Sequence, residues 1–271
     1  MSPRESSPAD RRRTPAGRGA ARTRGRASHS LEQIVAAAIG ILDRDGIRGL
    51  TLRGLAADLG GGLGSVYWYV GSKDELLALA CDALLAEAIV RADAPAGEGP
   101  GEADSPPGIA PGGPPLGTDD PVVVAAARTL RRTALALFEQ THEHPWLALL
   151  LHAQGPPSPH LLRYWERLGR PLAEMGLTPR QQFHGSTAIS GYVSGVAAEM
   201  AAQDLRADTS RSKEEQLAEV TDGWLDLDPV EFRWLHSIAE EFREHDDDEQ
   251  FIAGLDLLLG GLVRQAVDQR H

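Results

Sequence analysis

At 271 residues, 42% of them hydrophobic, the chain is long enough to bury a sizeable core in one or two domains. Its single cysteine, Cys81, excludes an internal disulfide framework, fits a reducing cytoplasm, and reads as a small buried helix residue. The net charge of −12 hides an asymmetry: residues 1–30 carry eight arginines against Glu5 and Asp10, a local +6, which leaves −18 on the remainder.

A basic arm over 1–28, rich in Pro, Gly, Ser and Thr, reads as a disordered tail able to meet a polyanion. No apolar segment follows its arginines, so no signal peptide is expected. The longest uncharged, apolar-leaning run, 185–198, falls short of the roughly 20 residues of a membrane span, so no membrane partner is expected.

Ser30 to Gln33 has the form of a capping box, and apolar positions 31, 34, 35, 38 and 42 follow at helical spacing up to Gly46, a suitable stop. Thr51 can cap a short helix with Leu52, Leu55, Ala56 and Leu59 on its apolar face, ended by Gly60. Next come three consecutive aromatics, Tyr67, Trp68 and Tyr69, in a chain only 5% aromatic. Ser72 to Glu75 then forms a second capping box, opening a long connecting helix over about 72–91.

Residues 92–120 hold seven prolines and seven glycines and read as a disordered linker. Helices are predicted again at about 121–142, 145–153, 159–175, 179–203, 229–244 and 247–269, with a polar stretch at 204–228 set between. Strand alternation and internal repeats are absent. The predicted fold class is all-α, with a helical N-terminal unit over 29–76 and a helical C-terminal domain over 121–271.

Successive helix residues project about 100° apart, so the three aromatics sweep more than half of one helix and cannot all face one core. Val66, Tyr69 and Val70 share the stripe that packs inward, which leaves Tyr67 and Trp68 wholly or partly outside. They either fill a seam with the next helix or face a ligand as large as DNA. The spacing favours the second: Ala56, Gly60 and Val66 supply the small residue, the turn residue and the branched anchor that two closely crossing helices need.

Over Thr51 to Gly60 (TLRGLAADLG) and Val66 to Leu77 (VYWYVGSKDELL), the sequence resembles the tetracycline-repressor (TetR) family of transcriptional regulators. Phe251 to Leu262 (FIAGLDLLLGGL) resembles the closing helix of the subgroup nearest the tetracycline repressor. The resemblance implies a three-helix helix-turn-helix DNA-binding domain and a C-terminal ligand-binding and dimerisation domain. It also implies a homodimer joined through helices at about 179–203 and 247–269, acting in the cytoplasm.

Carried over by position, Thr51 would cap its helix and touch phosphate, and Arg53 would reach a phosphate or a guanine edge, which guanidinium pairs bidentately. Ser65, Tyr67 and Trp68 would enter the major groove and Tyr69 would touch the DNA backbone. Lys73 would bind phosphate beside free helix N–H groups. Arg24 and Arg26 would follow the backbone or enter the minor groove. Gly61, Gly62 and Leu63 depart from the family pattern, which prefers apolar, small polar, and polar or proline residues there. A recognition helix starting late is expected.

The function implied is a regulator, most simply a repressor, released from a palindromic double-stranded operator by a small-molecule effector, with the fourth helix as transmitter. His142, Trp146, Trp165, Phe183 and Tyr192 are candidates for the effector site, spaced as core or pocket-wall residues. The histidines His142, His144, His152, His160 and His184 could in principle hold a metal, but 142 and 144 face differently and no ligand spacing is recognised, so no metal and no cofactor are expected. The other classes weighed are a helical enzyme, for which no catalytic motif is present, and a protein-interaction module using the arm for solubility.

Overall fold

The computed structural model describes residues 29–61, 63–94, 118–151, 156–204 and 211–270. Among these, the regular elements are eleven helices: α1 Leu31–Gly49, α2 Leu52–Asp58, α3 Leu63–Tyr67, α4 Lys73–Asp93, α5 Pro121–Glu143, α6 Pro145–Leu150, α7 Pro159–Glu174, α8 Pro179–Asp204, α9 Lys213–Leu225, α10 Arg233–Arg243 and α11 Asp247–Asp268. The arm 1–28 with Arg24 and Arg26, residues 95–117 of the Pro/Gly-rich stretch, Gly62 and His152 lie outside the described residues.

Local chemistry sets the N-terminal elements. Ser30 and Gln33 close a reciprocal capping box at the start of α1, and its regular winding breaks at Gly46, where φ is 67°. Thr51 caps α2 by accepting from the Gly54 N–H at 3.0 Å. Gly60 ends α2 with φ 64°, and the N–H groups of Gly60 and Gly61 donate to the carbonyls of Ala57 and Ala56, the paired bonds of a Schellman cap. Ser72 caps α4 through the Glu75 N–H, but the Glu75 carboxylate reaches past the cap to the Gly71 N–H at 2.8 Å. The expected reciprocal box is therefore shifted back by one residue.

Helix α5 is the axle of the larger unit. Asp120 caps it, Pro121 opens it, and its buried residues include Val123, Ala126, Leu130, Ala134, Leu137, Phe138, Gln140 and Thr141. It packs on α4, α6, α7, α8 and α11. On α11, Phe251 stacks on Phe138 with ring centroids 3.7 Å apart, and Asp256 accepts from the buried Arg131 at 3.1 Å. Arg270, just past α11, pairs with Asp120.

Three expectations need correction. The polar stretch 204–228 carries α9, started by a complete Ser212/Glu215 capping box and held to α10 by the Trp224 and Phe242 rings and an Arg243 to Thr221 bond of 3.0 Å. The next helix opens at Arg233 rather than 229, because Asp228 first caps a turn through the Val230 and Glu231 N–H groups. Finally, α11 is long and apolar enough to cross a membrane by length and composition, beyond the uncharged run 185–198; Asp256 and Arg264 interrupt an otherwise apolar stretch and keep it from standing out as an uncharged run. Its Phe251, Leu255, Leu259 and Val263 are buried, and it packs on α5 and α8.

Helix α4 is moored to the larger unit by polar bonds as well as packing. Arg91 bonds Glu143 at 2.8 Å and Glu139 at 3.2 Å, and Arg167 on α7 bonds Asp93. Asp82 accepts from the His160 backbone N–H at 2.9 Å and faces its Nδ1 at 2.8 Å. Burial alone would raise the Asp82 pKa, but hydrogen bonds from Ser158 and His160 outweigh it and hold the carboxyl below its ordinary range. Burial pushes the neighbouring Cys81 thiol up to about 12, which makes it a poor nucleophile at neutral pH.

A Cβ at Gly60 meets open space, so Gly60→Ala isolates the strain of a positive φ. It is expected to lower stability by about 1–2 kcal/mol in chemical denaturation without altering helix content. A carboxylate with a depressed folded pKa stabilises above the unfolded value and loses that contribution as pH falls through the folded one. Asp82→Asn is thus expected to cost about 1–2 kcal/mol at pH 7, with the gap to the parent narrowing below about pH 4.

Candidate nucleic-acid interface

Helix α3 is only five residues long and has one residue, Val66, buried within it. Val70, just after it, is also fully buried, so two valines pin this segment against α1 and α2, where Ile34, Leu42, Leu50 and Leu55 complete the local core. The helix stops at Tyr67 because the N–H groups of Tyr69 and Val70 both turn back to the Val66 carbonyl. That leaves Trp68 84% exposed, Tyr67 52% and Tyr69 38%. A large apolar ring left this far out of a core is unusual, and it stands on a segment too constrained to fold it inward.

The late start expected for this helix is found at Leu63, which is half-buried against the same core. Around the aromatics, Thr51 and Arg53 are exposed at the start of α2, and Ser65 is half-buried on α3. The predicted set Thr51, Arg53, Ser65, Tyr67, Trp68 and Tyr69 thus lies on α2, α3 and the turn that follows. Lys73 differs: it is half-buried, and its Nζ donates to the Ile47 carbonyl at 2.5 Å, tying the first turn of α4 to the end of α1. Arg24 and Arg26 fall outside the described residues.

The candidates for an effector site are not brought together. Trp146 is buried and donates its indole N–H to Asp43 on α1 at 2.7 Å. Tyr192 stacks near Phe251 and donates to the carbonyls of Gln250 and Phe251. Trp165 and Phe183 are 46% and 65% exposed. Of these, His142 lines a cavity of about 70 Å³ between the α5–α6 corner and α8, walled also by Phe138, Thr141, Pro145, Ala197, Met200 and Ala201. Small and aliphatic wall residues look like ordinary helix-packing positions in a sequence, so periodicity alone could not single them out.

The other histidines are engaged or dispersed. His144 faces Asp43 at 2.7 Å, His160 faces Asp82, and His184 is exposed beside Phe183. Among the described residues, no group of three or more His, Cys, Asp or Glu side chains is placed to hold a metal ion.

Comparison with known proteins places this architecture. The family model described as the tetracyclin repressor-like C-terminal domain matches residues 123–266, more than half of the chain. An HTH-type transcriptional regulator of Saccharopolyspora erythraea is 33% identical over 164 residues, covering 60% of this chain; the chain spans only 58% of that relative's length. Among solved structures, the transcriptional regulator SCO7222, a TetR from Streptomyces coelicolor, is 32% identical with a TM-score of 0.67, covering 87% of this chain and 98% of its own. The Streptomyces coelicolor TetR family protein ActR, in complex with actinorhodin, is 25% identical with a TM-score of 0.66, covering 88% and 97%. The chain belongs to the TetR family of transcriptional regulators.

Proposed function

We propose that the chain is a homodimeric repressor that reads a palindromic double-stranded DNA operator through α2, α3 and the following turn, and leaves it when a small-molecule effector enters the larger helical unit. The exposure of Trp68 on a segment pinned by Val66 and Val70 carries this reading, because the ring is held ready for an outside surface and not for a core. Arg53 supplies a guanidinium suited to a guanine edge or a phosphate, Thr51 a hydroxyl near the backbone, and Tyr67, Ser65 and Tyr69 flank the indole. Trp68 offers an apolar face to a thymine methyl. With two copies related by a two-fold axis, half-sites about one helical turn apart follow.

Lys73 keeps its place at a phosphate and also has a part within the fold. Its bond to Ile47 makes it a brace between α1 and α4, with two ammonium hydrogens left for a phosphate. The cavity between α5, α6 and α8 is the place where an effector enters. Its volume of about 70 Å³ is far below the roughly 300 Å³ or more of a drug-sized site, so entry must move the walls. The wall movement then favours a dimer geometry that no longer fits the operator.

The test is a gel shift on the DNA upstream of the chain's own coding region at physiological salt, followed by a screen for small molecules that release it. Arg53→Ala and Trp68→Ala are each expected to weaken operator binding by about 1–3 kcal/mol while leaving the thermal midpoint nearly unchanged, since both side chains are exposed. Sequence-independent binding, or equal binding by the variants, contradicts the reading.

A further inference from the structure

We infer that the Asp43 carboxylate is the positioning residue that passes occupation of the α5–α6–α8 cavity to the DNA-facing unit, by way of α1 and not through α4 alone. The inference rests on the proposed reading and adds the route of its regulation. The corner between α5 and α6 is one residue long: His144 both ends α5 and caps α6. Within that corner, Thr141, His142 and Pro145 line the cavity, while the interleaved His144 and Trp146 turn to the other side. There His144 Nδ1 and Trp146 Nε1 both lie 2.7 Å from the same oxygen, Oδ1 of Asp43.

No slack exists between these two faces. The His144 N–H donates to the Gln140 carbonyl at 2.9 Å and the Leu147 N–H donates to the His144 carbonyl at 2.8 Å, so the corner moves as one piece. Trp146 is 5% exposed, and losing Asp43 would strand its indole N–H in the interior. Asp43 lies three residues before the break at Gly46, and the far end of α1 holds Lys73 through the Ile47 carbonyl. Helix α1 packs on α2 and α2 on α3, so a displacement of α1 reaches α2 and α3 through direct packing.

Packing agrees with this route: α6 rests on α1, α5 and α8. Helix α4 also meets the corner, through Arg91, which is bidentate to Glu143 and bonds Glu139; this is a second contact, which Arg91→Met removes separately. Whatever enlarges the cavity must push Pro145 away from Ala197, Met200 and Ala201, and the push arrives at Asp43 through two directed hydrogen bonds.

Because the effector is unidentified, the probe is a side chain grown into the cavity. Ala201→Phe, or the milder Ala201→Leu where the larger residue does not fold, overfills the space between α8 and the corner. Operator affinity is read by fluorescence anisotropy in a double-variant cycle. The filler is expected to weaken operator binding about tenfold in the parent, within the range of coupling between sites. It is expected to have little effect in Asp43→Ala. Asp43→Asn, which keeps an acceptor for the Trp146 N–H, restores part of the coupling, and Arg91→Met leaves it intact.

The same cycle is followed by hydrogen exchange of α1 amides, which needs no DNA: the filler is expected to loosen α1 only when residue 43 is Asp or Asn. Equal effects of the filler with and without Asp43, no effect in the parent, or coupling abolished by Arg91→Met instead each overturn the inference. Exchange coupling without any sequence preference for DNA overturns the proposed function and leaves the α6-to-α1 route standing.

Discussion

Two valines decide what the rest of the molecule presents. Val66 on α3 and Val70 in the turn after it are both buried, and a segment anchored at both points has no rotation left with which to hide Trp68 between them. The turn that ends α3 on the Val66 carbonyl fixes the direction of the following side chains as well. Exposure of Tyr67 and Trp68 is therefore a consequence of anchoring and not of looseness. The Thr51 cap and the Gly60 turn serve the same end, holding α2 at the close approach that puts Arg53 at its exposed start.

The second organising feature is the way the two helical units are joined. Polar contacts between them concentrate on a few acids and bases: Asp43 on α1, and Asp82, Arg91 and Asp93 on α4. Asp43, Asp82 and Arg91 reach a helix end or corner of the larger unit, where unsatisfied backbone groups and short connections make geometry stiff, while Asp93 meets Arg167 in the middle of α7. Asp82 takes the N-terminal turn of α7, and Asp43 takes the α5–α6 corner. An apolar seam alone would resist separation but allow sliding; directed bonds at its edge fix the register between the cavity and the N-terminal helices.

Much of this was legible in the sequence, for reasons that differ by residue. Gly46 and Gly60 read as stops because a positive φ favours glycine, and both adopt one. Val66 and Val70 lie inward and Tyr67 and Trp68 outward as helical spacing expects, but the same stripe put Tyr69 inward and it is 38% exposed, because α3 ends at Tyr67 and the helical phase is lost beyond it. Three kinds of feature were not legible. Polar α9 was passed over because its few apolar residues are spent against the short, polar α10, although its Ser212/Glu215 box was a readable start. The partners of Lys73, Trp146 and His160 are tertiary, separated by 26, 103 and 78 positions, and no local pattern encodes them. Beside His142, Phe138 and Thr141, the cavity walls are two alanines, a proline and a methionine whose importance comes from what they fail to fill.

The account stands on Trp68 meeting DNA, and 5-fluorotryptophan labelling reads that directly. The five tryptophans give separate fluorine resonances, and a Trp68→Phe variant assigns the one that matters. In the free protein that resonance should carry a large solvent isotope shift, as befits an 84% exposed ring. On adding the operator duplex it should move and lose that isotope shift, while the buried Trp146 signal keeps its insensitivity to solvent. A Trp68 resonance that stays solvent-sensitive when the operator is saturated would contradict the assignment of this surface to DNA.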